Sequence, residues 1–407
     1  MATKSCAQPI PLLTREARIK RRLRAHLREL GFRVRSGTLI PPDTSKSIIR
    51  ELHALQRADR LKAEADFVKK NWPPLKKYFA NGNEINPEAI APRLELISAE
   101  TWQSDLFRLA TLTWSIPVSQ GYGRRMRYLV WDAGNDKLIG LIALGDPVFN
   151  LRVRDSAISW TGAQRQELLV NTMDAYVLGA VAPYNSLLGG KLVAALIKSR
   201  GVHQDFHKRY NATSGIISGR DKHASLVLVT TSSALGRSSV YNRLRLPGYS
   251  IFDSVGYTAG WGHFHIPEDL FEDIRSYLSA RGDAYAANHR YGSGPNWRLR
   301  TIRKGLSALG VDPHVLKHGI GREVLLCTLA SNGIAFLAGK ALTPDFSGLL
   351  ETDEVGRLAI ARWVLPRAAR DMTFRNWRNE DVTGLLSNAS AVPSATAAVS
   401  IRQESSA

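Results

Sequence analysis

Cysteine is nearly missing from these 407 residues, with only Cys6 and Cys327 present. Two cysteines supply neither a disulfide framework nor a cysteine-based zinc site. Cys327 lies inside the apolar run 324–329, where a small buried hydrophobe is expected. Long hydrophobic runs are missing too. None approaches the roughly 18–20 residues that span a bilayer, and Arg and Lys occupy the N-terminal stretch where a secretion signal carries its apolar segment. The expected location is therefore the cytoplasm, with no membrane partner. No internal repeat is found, and the Ser, His and Asp residues match no nucleophile-elbow spacing, so hydrolase chemistry is not indicated. His263 and His265 share one face at strand spacing but have no third ligand at a diagnostic distance, so no metal is expected.

Negative charge is scarce as well. Thirty-six Asp and Glu stand against 55 Lys and Arg, a formal net charge of +19. Residues 1–77 hold 19 of those cations and seven of the acids, so twelve of the nineteen net charges are concentrated there. Counterion release favours association with a polyanion. DNA or RNA is the expected partner, bound with little sequence preference because no base-reading module is recognisable. Hydrophobic residues at 44% and charged residues at 22% are ordinary for a folded chain. The length exceeds what one core usually supports, which predicts two or three folding units.

Along residues 14–31, Ile19, Leu23, Leu27 and Leu30 recur at helical spacing, with Thr14 placed to cap the start and Gly31 just past the end. Arg18, Arg21, Arg22 and Arg28 project away from that stripe, towards solvent or a phosphate backbone. A second helix is expected over 46–71, stopped by Trp72, Pro73 and Pro74. The middle of the chain alternates strand-like runs with Gly- and Pro-marked turns. Residues 128–132 and 137–144 read as a hairpin, and 156–160 continue the strand pattern. Residues 174–181 read as a strand, 183–190 as a turn, 191–198 as a helix and 225–231 as a further strand, followed by a helical run to Leu246. Helices are expected over 268–280, 297–309 and 321–337, and a fraying tail from 387 onward.

The most informative segment leaves a strand at Pro183, passes Tyr184, Leu188, Gly189 and Gly190, and opens a helix at Lys191. That order aims backbone N–H groups and the positive helix end at one point, as a pyrophosphate cradle does. A plain tight turn, using glycine for positive φ, is the alternative. Asp146, Arg154, Asp155, Arg237 and Asn242 sit in turn-rich segments and form a paired network or line a cleft. Trp297, Arg298, Arg300, Arg303 and Lys304 interleave an aromatic ring with cations, which suits a nucleic-acid strand; an ordinary amphipathic helix is the alternative.

The order of strand, Gly-rich turn, helix, strand and then Tyr241 resembles the core of the GNAT acyltransferases. That resemblance implies a splayed strand pair gripping acyl-CoA, with the pyrophosphate on Gly189 and Gly190 and Tyr241 as the general acid. Two positions depart from the pattern: Ser186 stands where Gln or Arg is usual, and Lys191 where a small residue is usual. Longer strings resemble the DruA family of the Druantia anti-phage system. They are Trp114 to Ser119, Gly121 to Arg125, Leu144 to Leu151, Ser233 to Arg243, Gly260 to His265 and Gly294 to Arg300, within a likeness that runs from about Ile19 to Arg367. It implies a place in phage-defence or mobile-element neighbourhoods, with other defence-system proteins as partners.

The expected architecture is mixed α/β. A basic helical region (1–95) precedes a GNAT-like core of helices on a mixed central sheet (96–267), a mainly helical region (268–386) and a flexible tail (387–407). The expected function is nucleic-acid-associated phage defence by acyl transfer to a base or protein amine, with Tyr241 and Asp146 as catalytic candidates. The competing function is a non-catalytic DNA-binding subunit or a transposase accessory.

Overall fold

The computed structural model describes residues 14–35, 38–40, 42, 45–119, 121–214, 221–237, 240–241, 243–259, 263–283, 295–317 and 319–387. Residues 388–407 of the expected tail, and Ser238, Ser239, Asn242, Gly260, Trp261, Gly262 and Gly294 of the family strings, lie outside the described residues. In chain order the elements used below are helix α1 (Arg15–Glu29), strand β1 (Pro92–Leu96), helix α2 (Trp102–Leu112), strands β2 (Arg125–Asp132), β3 (Lys137–Gly145) and β4 (Thr172–Ala180), helix α3 (Gly189–Leu196), strands β5 (Leu228–Ser232) and β6 (Asp253–Tyr257), helices α4 (Glu268–Ala280) and α5 (Pro295–Ala308), and strand β7 (Glu323–Thr328). The chain divides into two units, one of residues 1–48 with 261–319 and the other of 49–260 with 320–407. Among the described residues no helix is long and apolar enough to cross a membrane.

In the first unit, α1 starts where Thr14 Oγ1 accepts the Ala17 N–H at 3.2 Å and ends at Gly31, whose φ of +85° suits glycine. Its apolar stripe of Ile19, Leu23 and Leu27 is buried as the 3.6-residue period requires. The residues of α4 that recur at the same period, Leu270, Phe271, Ile274 and Leu278, are buried too. Helix α5 approaches α4 closely at Gly305, where a Cβ would stand 2.1 Å from Ile274 Cγ2. Only glycine allows that approach. His26 is buried, and its Nε2 lies 2.7 Å from the His265 carbonyl, joining α1 to the segment before α4.

The second unit is built on a seven-stranded sheet ordered β6-β7-β5-β4-β3-β2-β1. Every neighbouring pair is antiparallel except β4 with β5, which is parallel. Helices cover both faces, so alternate residues enter different cores: Tyr128 and Val130 pack with α3 on one side, Leu129 and Trp131 with α2 on the other. Burial on both sides explains why β3 reads as an almost unbroken apolar run. The fold class is thus mixed α/β, with a mixed central sheet flanked by helices.

Several elements differ from the sequence expectation. Residues 156–160 belong mostly to a helix, Arg152–Ile158, instead of a strand, because the Asp155 carboxylate accepts the Leu151 N–H at 3.3 Å and supports the first turn. The expected helix 321–337 holds strand β7, buried between β5 and β6, and then a short helix, Gly333–Leu337. A central strand has no polar face, so its residues show no alternation. The run before Leu246 is not helical where it is described. Arg245–Leu246 pairs with Tyr249–Ser250 around Pro247 and Gly248, the latter with φ +66°, a Pro-Gly turn. Pro73 and Pro74 lie within a helix, Ala65–Leu75, and the break falls earlier, at Glu64, after the helix Lys46–Ala63.

Candidate functional site

Strand β4 is where the sheet opens. Against β3 it carries a bulge: Ala143 faces Val177 and Leu144 faces Ala175, leaving Tyr176 as the extra residue. On its other edge β4 pairs with β5 over three residues only, Thr172 with Leu228, Met173 with Val229 and Asp174 with Thr230. Both strands continue, β4 to Ala180 and β5 to Ser232, but no pair between them follows Asp174 with Thr230. They therefore part beyond Asp174. Thr231 bridges the first gap, its Oγ1 donating to the Ala175 carbonyl at 2.9 Å.

Polar side chains gather at this parting. Thr230 Oγ1 donates to Asp174 Oδ1 at 2.7 Å, yet burial still pushes the Asp174 carboxyl up to about 6, against the pull of Thr230 and Arg154. Tyr241 stands in a turn, its hydroxyl hydrogen-bonded to Thr231 and its ring 5.8 Å from that of Phe252. Burial pushes its phenol up to about 12, with the Asp174 charge adding to the effect. Tyr122 is likewise pushed up to about 12 by burial, then by Asp174 and Asp146. A desolvated carboxylate therefore sits within electrostatic reach of two phenols that stay protonated at neutral pH. Such a set can accept one proton and donate another.

The sequence names Tyr241 as a candidate and not Asp174. The signal was a lone carboxylate inside an apolar strand, which costs too much to bury without a purpose or a partner. Asp146, chosen instead, has both oxygens engaged: Arg124 Nε donates to Oδ1 at 2.7 Å and the Arg124 N–H to Oδ2 at 3.0 Å. The same guanidinium reaches the Val170 and Thr172 carbonyls at 2.8 and 3.3 Å, so this pair holds the Gly121 loop beside the start of β4. Arg154 is fully buried, donating to the Val148 and Phe149 carbonyls and to Asp155, which Arg165 also meets at 3.1 Å. Arg237 is exposed.

The glycine turn is tighter than its sequence suggests. Tyr184 is 1% exposed and its hydroxyl donates to Asp132 at 2.8 Å, tying the turn to the β2–β3 hairpin rather than lining an opening. Leu188 takes a left-handed φ of +60° ahead of α3. A Cβ on Gly189 would stand 2.5 Å from the Tyr184 carbonyl oxygen, whereas one on Gly190 would meet only Val240, at an ordinary 3.5 Å. Lys191 Nζ donates to the Val240 carbonyl at 3.1 Å. Its pKa is lowered by burial and then by the nearby positive charges of Arg362 and Arg243. Three cations therefore surround the start of α3.

In the first unit the predicted arginines divide by role. Arg22 forms ion pairs with Asp269 and Asp273 of α4. Arg298 pairs with Glu268, donates to the Ile266 carbonyl at 2.7 Å and stacks 4.1 Å above the Phe271 ring. Arg303 Nη2 approaches His263 Nε2 at 3.3 Å. These three hold the unit together. Arg18, Arg21, Arg28 and Arg300 face solvent.

A family model described as Druantia protein DruA matches residues 43–339. The Druantia protein DruA of Escherichia coli (strain UMEA 4076-1) is 52% identical over 375 residues, a span covering 92% of this chain and 93% of that protein. No solved structure matches.

Proposed function

Because the chain belongs to the DruA family, and through it to anti-phage defence by the Druantia system, we propose that it is a nucleic-acid-associated component whose core transfers an acyl group from acyl-CoA to an amine of a base or protein. The observation that carries this reading is the parting of β4 and β5 at a bulge with Asp174 and Tyr241 beside it. It supports a GNAT-like core, in which two diverging strands grip the acyl arm. The donor fits the residues present: Gly190 leaves room at the backbone, and Lys191, Arg243 and Arg362 supply positive charge for a pyrophosphate. A bound thioester supplies the acyl carbon and a thiolate leaving group. Asp174 would take the proton that an amine gives up as its nitrogen bonds to the acyl carbon, and Tyr241 would give one to the sulfur as the carbon–sulfur bond breaks. Arg18, Arg21 and Arg28 on α1 are offered to phosphates. Other Druantia proteins are its expected partners.

A second reading, a non-catalytic nucleic-acid-binding subunit, is favoured by the close packing at Gly189 and by the bond from Lys191 to Val240. Asp174→Asn separates the two. Its folded carboxyl is raised above the unfolded value, so the native state is progressively penalised as pH rises from about 4 through about 6, and the penalty is fully present at pH 7.5. The Asn variant is expected to be more stable than the unmodified protein by about 1–2 kcal/mol at pH 7.5, with the gain vanishing near pH 4. Protection against phage is nevertheless expected to be lost, as for a strained functional group. Chemical denaturation at the two pH values and a plaque assay measure both effects. Full protection by the stabilised variant supports the non-catalytic reading.

A further inference from the structure

A groove of about 760 Å³ lies within the first unit, between α1 and the segment that follows α5. One wall is the side of α1 carrying Lys20, Arg24, Leu27 and Arg28, and the other runs from Gly310 to Lys317. Its floor is apolar, formed by Leu23, Phe32, Val311 and Val315. Val34 stands at the lip, 63% exposed between the exposed Arg33 and Arg35. Asp312 is the single acid among the lining residues, and the His314 ring nitrogen Nδ1 lies 3.0 Å from its carboxylate. Arg24 and Arg28 have no acidic partner among the described residues, while Lys20 pairs with Glu16 at 2.6 Å.

We propose that this groove binds a single strand of nucleic acid, phosphates along the α1 wall and sugar and base edges over the apolar floor. The inference rests on the nucleic-acid part of the reading above and gives it a location. Lys20, Arg24 and Arg28 recur every four residues, so they step along one side of α1 at about 6 Å intervals. That pitch suits consecutive phosphates of an extended strand. A duplex presents phosphates alone to a surface of this size and has no use for a concave apolar floor, whereas an unpaired strand offers both charge and ring faces.

The test is fluorescence anisotropy with a labelled thymidine oligonucleotide against the full chain over a salt series. The triple variant Lys20→Gln, Arg24→Gln, Arg28→Gln is expected to bind about 10–100-fold more weakly. Its salt slope should fall by about two, since each single-strand phosphate contact accounts for about 0.7. Val34→Glu, at an exposed position that leaves the core untouched, is expected to weaken binding as well. An equal charge loss in the other unit, Lys69→Gln, Lys70→Gln, Lys340→Gln, is expected to leave most of the affinity. Equal losses from the two triple variants overturn the groove while leaving nucleic-acid association standing. Tighter binding of a duplex than of the single strand overturns it too, and no binding by the unmodified chain removes both the groove and that association.

Discussion

Replacing Tyr241 by Phe is expected to slow acyl transfer by roughly 10²–10⁴-fold, the usual loss when a general acid is removed, while the protein stays folded. The ring packs against Phe252 and remains after the substitution. Only the hydroxyl is lost, together with its hydrogen bond to Thr231, at a cost of about 0.5–1.5 kcal/mol. With the phenol pushed up to about 12, Tyr241 keeps its proton at neutral pH and can hand it to a sulfur that leaves at the parting of β4 and β5. A tyrosine serving only the core would behave differently, lowering the melting temperature with no separate loss of protection. Plaque protection and thermal unfolding of the same variant distinguish these outcomes. Full protection by a stably folded Phe variant removes Tyr241 from the chemistry.

Arg154→Met is expected to give the largest loss of stability, about 3–5 kcal/mol, the range for breaking a buried ion pair from one side. The guanidinium is fully buried, and its removal leaves the Val148 and Phe149 carbonyls without their donor and Asp155 with the Arg165 guanidinium and the Leu151 N–H, both on Oδ2. It also takes away a positive charge that lowers the Asp174 pKa, so that carboxyl should rise further. The double variant Arg154→Met, Asp155→Asn is expected to lose less than the single one, since no buried acid is left short of a partner. Urea denaturation of both variants measures this, and a loss below about 1 kcal/mol for Arg154→Met contradicts the network.

What was legible in the sequence was local. Glu268–Ala280 forms as a helix over the residues expected, because its 3.6-residue period and acidic first turn are both properties of the segment itself. The hairpin of β2 and β3 was legible through its Ala133–Asp136 turn, and α1 through its stripe and its two caps. What was missed depends on partners far along the chain. Strand β7 completes the sheet with neighbours that come more than sixty residues earlier, and a buried central strand carries no alternating signature. The bulge in β4 and the end of its pairing with β5 at Asp174 depend on strand partners distant in the chain and are not visible in composition. Asp146 reads in the sequence as a turn residue open to chemistry, and nothing local marks Arg124, twenty-two residues earlier, as the group that engages it. On α1 the stripe was read correctly, yet Arg22 turned to α4, and the four-residue spacing of Lys20, Arg24 and Arg28 went unused.

The central claim is that the chain binds an acyl-CoA where β4 and β5 part. Isothermal titration of CoA and acetyl-CoA into the purified protein tests it most directly. The expected result is saturable binding at one site per chain for the unmodified protein, kept by Tyr241→Phe and weakened by Arg243→Gln together with Arg362→Gln. Absence of both heat and thermal stabilisation with either compound contradicts the claim and leaves a core that serves only as a scaffold.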